Sequence, residues 1–255
     1  MAGPEDHLDD NTEGGSTGWD CRGGERNHAE VSRIEVTGLL IIGAGGHGKV
    51  VADTAEAAGF SQIAFLDHSW PSRTRNGKWP IIGVPGVDAA AIFCGVGSND
   101  VRSTFFQEFK LEQSPSLIHP SAILSPSVIV GAGTLIVAGS IVNADAKIGM
   151  GVILNTASSV DHDCVLGDFV HVSPGARLAG GVRVGRKTWI GIGAVVKEGV
   201  RIGSGAMVAA GAVVVEDVED NACVAGFAAK RMCHMLNAPF SPWPAFTQEE
   251  ADAVS

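Results

Sequence analysis

The residues best suited to chemistry lie in the run Asp161-His162-Asp163-Cys164, with a second histidine, His171, nine positions after the first. A carboxylate beside an imidazole orients the ring and raises its basicity, as a general base requires. Acids flank His162 on both sides, which makes it the candidate base; a solvated surface histidine is the plainer alternative. A second signal lies upstream, where Gly43-Ala44-Gly45-Gly46-His47-Gly48 has G-x-G-x-x-G spacing, with Asp67 closing the next apolar run. Such a loop turns backbone N–H groups and a helix N-terminus toward a phosphate or diphosphate. A dinucleotide needs two mononucleotide halves, and the chain has room for one before its pattern changes. His47 also adds a donor that the usual dinucleotide loop lacks. A nucleotide-sugar diphosphate is therefore preferred to NAD, while glycines that merely permit tight strand-to-helix packing remain the bland reading.

The change of pattern is a repeat. Aliphatic residues recur every six positions without interruption from Ile118 to Val214, and four residues after each stands a small one, from Ala122 through Cys164 to Val218. A six-residue period marks a solenoid of stacked short parallel strands. Both residue classes should point inward, and glycines such as Gly131, Gly149, Gly167, Gly185 and Gly203 should serve the corners. Three hexapeptides make one triangular coil, giving between five and six coils and a prism roughly 25–30 Å tall at the usual strand spacing. On this lattice His162 and His171 stand half a coil apart. Both should project outward, from opposite sides, and could share a site only across a subunit interface. Gly180 lies one full coil above His162, where its N–H could meet an oxyanion. Pro174, Ile192 and Ala210 form a second column beside His171.

Four segments follow: 1–36, Gly-rich and acidic, as a disordered extension; 37–114 as a small α/β nucleotide-sugar-binding domain; 115–219 as the solenoid; and 220–255 as a cap and tail. Within the second, the pattern predicts strands at 39–42, 63–67 and 90–94, helices at 49–58 and 100–111, and a polar loop over 69–80. The formal charge of −10 is concentrated at the two ends, and the nearly neutral body offers no footprint for nucleic acid. Five scattered cysteines suggest neither a disulfide framework nor a metal site and fit a reducing cytoplasm. No apolar run is long enough to insert into a membrane, and no signal peptide is expected at the start.

Taken in order, GAGGHGKVV, FLDH, NTASSVDHDC, GDFVHVSPGA and VAGFAAKRM resemble the NeuD/PglD family of sugar acetyltransferases across residues 38–232. The resemblance implies a Rossmann-like α/β half-domain joined to an all-β left-handed parallel β-helix, a homotrimer, and acetyl-CoA as co-substrate without a metal. It places the general base at His162 and its activating acid at Asp163. It places acetyl-CoA contacts at His171, Ile192 and Ala210, and UDP-sugar contacts at Gly45, Gly46, His47, Asp67, His68 and Gly97. The implied activity is N-acetylation of a UDP-4-amino-4,6-dideoxy-sugar for bacterial surface glycans, by direct attack on the thioester. O-acetylation of sialic acid or a related sugar, and a non-catalytic nucleotide- or NAD-binding solenoid, are the alternatives. Ala228 stands where the family's G-x-P-A-K segment has proline. The tail from Trp243 resembles the opening of pyridoxal-phosphate sugar aminotransferases, which predicts a fused or adjacent reading frame.

Overall fold

The computed structural model describes residues 38–86, 91–227 and 230–234. The extension, the tail and Ala228 lie outside this range. The chain opens with β1 (Leu39–Ile42), four apolar residues all buried, as expected for a parallel strand covered on both faces. Next come α1 (Gly46–Ala57), β2 (Ile63–Leu66), β3 (Arg75–Asn76), β4 (Trp79–Gly83), β5 (Ile92–Cys94) and α2 (Asn99–Glu108). The sheet order is β3-β4-β2-β1-β5, parallel except for the β3–β4 hairpin. Helix α1 begins three residues earlier than its periodicity suggests. Helix α2 ends three residues early, where Lys110 takes a left-handed φ of 52° before a short 3-10 turn at Leu111–Gln113.

The segment 69–80 is not an irregular loop, as its polarity suggested. It ends in the hairpin of β3 and β4, and buried Asn76 explains why: its Nδ2 donates to Gly45 O at 3.1 Å and its Oδ1 accepts from Arg73 Nη2 at 2.6 Å. Arg73 Nη1 donates to Ala44 O at 2.7 Å. These polar side chains serve the carbonyls of the glycine loop, so hydrophobic period could not reveal them.

The repeat folds as expected. Seventeen two-residue strands run from Leu117–Ile118 to Val213–Val214, and each pairs in parallel with the strand 18 residues away, as in Ile141↔Ser159↔Arg177. They form the three faces of a left-handed parallel β-helix. The inward aliphatics fill its axis, with Ile136, Leu154, Val160 and Val172 fully buried. Thr134, Ser140, Ser158 and Thr188 are equally buried, because their hydroxyls find oxygen partners, as from Thr134 Oγ1 to Gly149 O at 2.9 Å and between Ser158 Oγ and Ser140 Oγ at 3.4 Å.

The corner expectation needs revision. Left-handed backbone recurs every six residues, at Gly133, Gly139, Asp145, Gly151, Ala157 and onward to Gly211, and none of the five glycines named above has positive φ. Those five stack 18 residues apart because the next coil leaves no room: a Cβ on Gly185 would lie 2.4 Å from Ser204 N.

One face of the prism is covered by the α/β unit. Its outward residues Leu117, Leu135 and Ile153 are as buried as the axis and share a core with Leu39, Val51, Phe65 and Phe93. Outward Ile123 and Ile129, on the other two faces, are exposed. At the far end Ala222–Ala225 pairs in parallel with Met207–Val208 and in antiparallel with Lys230–His234, closing that edge.

The two kinds of glycine separate in a stability measurement. Gly185→Ala should lose about 1–3 kcal/mol by overpacking. Gly175→Ala, at φ 67° with nothing within 4 Å of the new Cβ, should lose only about 1 kcal/mol. Equal shifts in denaturant midpoint would contradict the assignment of the glycine column to close coil contact.

Candidate active site

His162 sits at an exposed corner of the prism. The next residue, Asp163, occupies the left-handed position with φ 60°, a conformation that aspartate tolerates better than most side chains. This turn brings Asp163 Oδ2 within 2.8 Å of His162 Nδ1. Asp161 fixes the backbone from the other side, its Oδ1 accepting from His162 N at 2.8 Å and from Asn143 Nδ2 at 2.9 Å, one coil below. Asn143 was not anticipated, although its spacing of 18 from Asp161 is visible in the sequence. The hydrogen bond to Asp163, aided by the charges of Asp161 and Asp163, raises the His162 pKa above its usual value. With Nδ1–H donated to the carboxylate, Nε2 carries the free lone pair. It stands over Gly180, where a Cβ would lie 2.5 Å away. Any side chain at position 180 would displace the imidazole.

The second site element is the crevice at the C-terminal ends of β1 and β5, where the strand order reverses and α/β sheets bind ligands. The glycines here divide cleanly. Gly43 has φ 100°, and Gly48 has Gly43 O only 2.3 Å from a notional Cβ; both are required by the fold. Gly45 and Gly46 have nothing within 4 Å, so tight packing does not account for them. Asp67 clasps the loop, its Oδ2 accepting from Ala44 N at 2.7 Å and its Oδ1 from Ser69 N at 2.9 Å. Partial burial pushes its carboxyl upward, but these hydrogen bonds outweigh that effect and hold it below its usual range. His68 is exposed beside it. Across the crevice Gly97 lies against the His47 ring, 3.7 Å from a notional Cβ.

His171 departs from expectation. It leaves the prism axis, but on the face covered by the α/β unit, so it is buried at 4 % exposure and does not project into an open groove. Its ring lies against Trp189, with centroids 4.2 Å apart, and 6.0 Å from the ring of His47. Its Nε2 is 3.2 Å from Asn155 Nδ2 and its Nδ1 3.4 Å from Gly97 O. Burial, followed by the charge of Arg102, lowers both pKa values, that of His47 to about 4. The two rings are neutral at pH 7. His47 Nε2 is buried without a hydrogen-bond partner among the described residues. His162 and His171 thus occupy different sides of one prism, as the half-coil spacing requires.

The third element is the column at another corner. Gly193 N donates to Pro174 O at 3.0 Å and Gly211 N to Ile192 O at 2.8 Å, so Pro174, Ile192 and Ala210 stack in register. Ile192 and Ala210 are exposed. Among the described residues no group of three or more His, Cys, Asp or Glu side chains is placed to hold a metal ion, and no helix is long and apolar enough to cross a membrane.

A glycine-rich α/β half-domain docked on a hexapeptide-repeat prism, with an acid-paired histidine at a corner, defines the class of hexapeptide acyltransferases with an N-terminal α/β unit. Family models agree at both ends: the PglD N-terminal domain matches residues 38–109, and the bacterial transferase hexapeptide (six repeats) matches residues 181–215. The acetyltransferase domain of PglB from Neisseria gonorrhoeae, solved with acetyl coenzyme A, is 41% identical with a TM-score of 0.71, covering 76% of this chain and 98% of that one. PerB from Caulobacter crescentus, solved with CoA and GDP-perosamine, is 36% identical with a TM-score of 0.72, covering 79% and 100%. UDP-N-acetylbacillosamine N-acetyltransferase from Bacillus subtilis is 35% identical over 107 residues, 38% of this chain; the match spans about half the length of that curated relative, 49%. The chain belongs to the NeuD/PglD family of sugar acetyltransferases.

Two pH measurements test this electrostatic arrangement. Asp163→Asn removes the carboxylate whose hydrogen bond and charge raise the His162 pKa, so the acidic limb of the kcat/KM profile for acetyl transfer should move to lower pH as the plateau falls; an unmoved limb would break the pairing. For His47 the folded pKa lies below the unfolded value of about 6.5, so its contribution is complete above that pH and is lost as pH falls toward 4. The loss is roughly 3 kcal/mol over this window. Urea titrations of wild type and His47→Asn should show a shallower decline for the variant.

Proposed function

We propose that this protein is an acetyl-CoA-dependent N-acetyltransferase acting on a nucleotide-linked 4-amino-4,6-dideoxy-sugar, with UDP as the nucleotide. The observation that carries the reading is the His162 imidazole, held at Nδ1 by Asp163 with Nε2 free over Gly180. One relative is named for a UDP-linked amino-sugar and another was solved with GDP-perosamine, and two were solved with acetyl-CoA or CoA. The open backbone at Gly45 and Gly46, the unpartnered His47 Nε2 and the facing Gly97 form the pocket for the diphosphate sugar, flanked by Asp67 and His68. Acetyl-CoA lies along the Ile192–Ala210 column. His171 is reached only where the acyl end enters the junction beneath the α/β unit.

In the reaction the sugar amine attacks the thioester carbonyl and His162 Nε2 takes the proton it loses. The C–N bond forms, the Gly180 N–H stabilises the oxyanion, and the C–S bond breaks as His162 returns the proton to the departing thiolate. Cys164 takes no part: it is buried, and burial pushes its thiol up to about 11. Because His162 and His171 leave different sides of one prism, the complete site lies between subunits of a homotrimer, in the cytoplasm where acetyl-CoA is available. The product serves bacterial surface glycans. O-acetylation of a sialic acid is the second reading, since the same base could serve a hydroxyl.

Acetyl-CoA consumption against UDP- and GDP-linked amino-sugars and free sialic acids decides among these. Turnover with a UDP-4-amino-sugar is expected, and turnover with sialic acids alone would replace the proposal. His162→Ala should lower kcat about 10²–10⁴-fold with the fold intact. Gly46→Val, free to extend into open space, should raise KM for the nucleotide sugar far more than for acetyl-CoA. Binding of NAD but no nucleotide sugar would instead favour the non-catalytic alternative.

A further inference from the structure

Arg102, on the first turn of α2, has the largest side chain among the fully buried residues of the described structure and is 1 % exposed. All five of its N–H donors are used. Nε donates to Gly151 O at 2.6 Å and Nη2 to Phe169 O at 2.9 Å, both at corners of the prism. Nη1 donates to Val96 O at 3.2 Å and Gly97 O at 2.9 Å, and Nη2 also to Asn99 Oδ1 at 2.7 Å, all within the α/β unit. Burial lowers its pKa to about 10, so it stays charged at neutral pH. No carboxylate among the described residues pairs with it. A buried charge held only by oxygen dipoles is a poor way to gain stability, and an apolar side chain could join helix to prism at smaller cost. A planar fork with fixed donor directions supplies definite geometry between two bodies.

The two sets of acceptors are not arbitrary. Gly97 is the crevice residue facing His47, and its oxygen also lies near His171 Nδ1. Phe169 stands two residues before His171 in a left-handed conformation that turns its carbonyl to Arg102. Asn99 extends the bridge, its Nδ2 reaching Lys187 O at 2.9 Å and Thr188 O at 3.2 Å, one coil above. One guanidinium therefore ties the wall of the nucleotide crevice to the coil that carries His171.

We propose that Arg102 is a positioning residue: it sets the Gly97 wall of the crevice against the acyl-transfer prism, so that a nucleotide diphosphate bound in the α/β unit presents its sugar in one orientation. This inference rests on the nucleotide-sugar reading above. Lysine keeps the charge but not the fork, so Arg102→Lys should weaken binding of UDP, measured by calorimetry on the full chain, by about tenfold or more. Binding of CoA should stay within about twofold of wild type. Phe106→Leu is the control, because Phe106 packs edge-on against Phe169 at 5.0 Å between ring centroids without contacting the Gly97 wall through hydrogen bonds. It should lower the melting temperature and leave UDP binding unchanged. If Arg102→Lys does not fold, Asn99→Ala decides, with a selective loss of UDP affinity of at least about threefold. Unchanged UDP affinity, or equal losses for UDP and CoA, would overturn the proposal. If wild type binds neither UDP nor GDP, the nucleotide-sugar reading itself fails and the inference falls with it, a result distinct from any difference between variants.

Discussion

Each coil of the prism hydrogen-bonds to the next in parallel, in register, with a step of 18 residues, and nearly every feature of the site inherits that registry. It sets Gly180 over His162, Asn143 below Asp161, and Pro174, Ile192 and Ala210 in one column. The registry is rigid because a left-handed residue must turn the chain every six positions, and along the column from Gly131 to Gly203 the next coil also passes too close for a Cβ. A side chain on such a lattice cannot drift, since moving it by one residue would turn it from outward to inward.

Where the lattice asks for a left-handed residue and the neighbouring imidazole for a carboxylate, one residue meets both demands. Asp163 takes the turn position, and the turn directs its carboxylate to His162 Nδ1. Asp145 takes the same φ one coil below without facing a histidine. The corner geometry is thus general to the fold, and the chemistry comes from the neighbour placed beside it.

The histidines show how burial sorts one residue type into opposite roles. His162 stands in water with acids on both sides, so its charged form is favoured and its basicity rises. His47 and His171 lie beneath the domain junction near the Arg102 guanidinium, where desolvation and like charge both favour the neutral ring. Neutral imidazoles can accept and donate at once, and these two lie with ring centroids 6.0 Å apart where the α/β unit meets the prism.

The sequence by itself determined the solenoid, its length and its inward residues, because a period of six with strict aliphatic and small classes has one packing solution. It determined the order of strand, glycine loop and helix from Leu39 onward, though not the helix start at Gly46, and the pairing of His162 with Asp163, which are adjacent in the chain. A further signal was present but unread: the outward residues Leu117, Leu135, Ile153, His171, Trp189 and Met207, spaced by 18, are mostly apolar and mark the face the α/β unit covers. Periodicity could say that His171 points out of the prism, but only the docked domain decides that outward means buried. The same is true of Arg102, Arg73 and Asn76. Their hydrogen bonds reach backbone oxygens tens of residues away, and a backbone carbonyl leaves no trace of its needs in the identity of the residue that bears it.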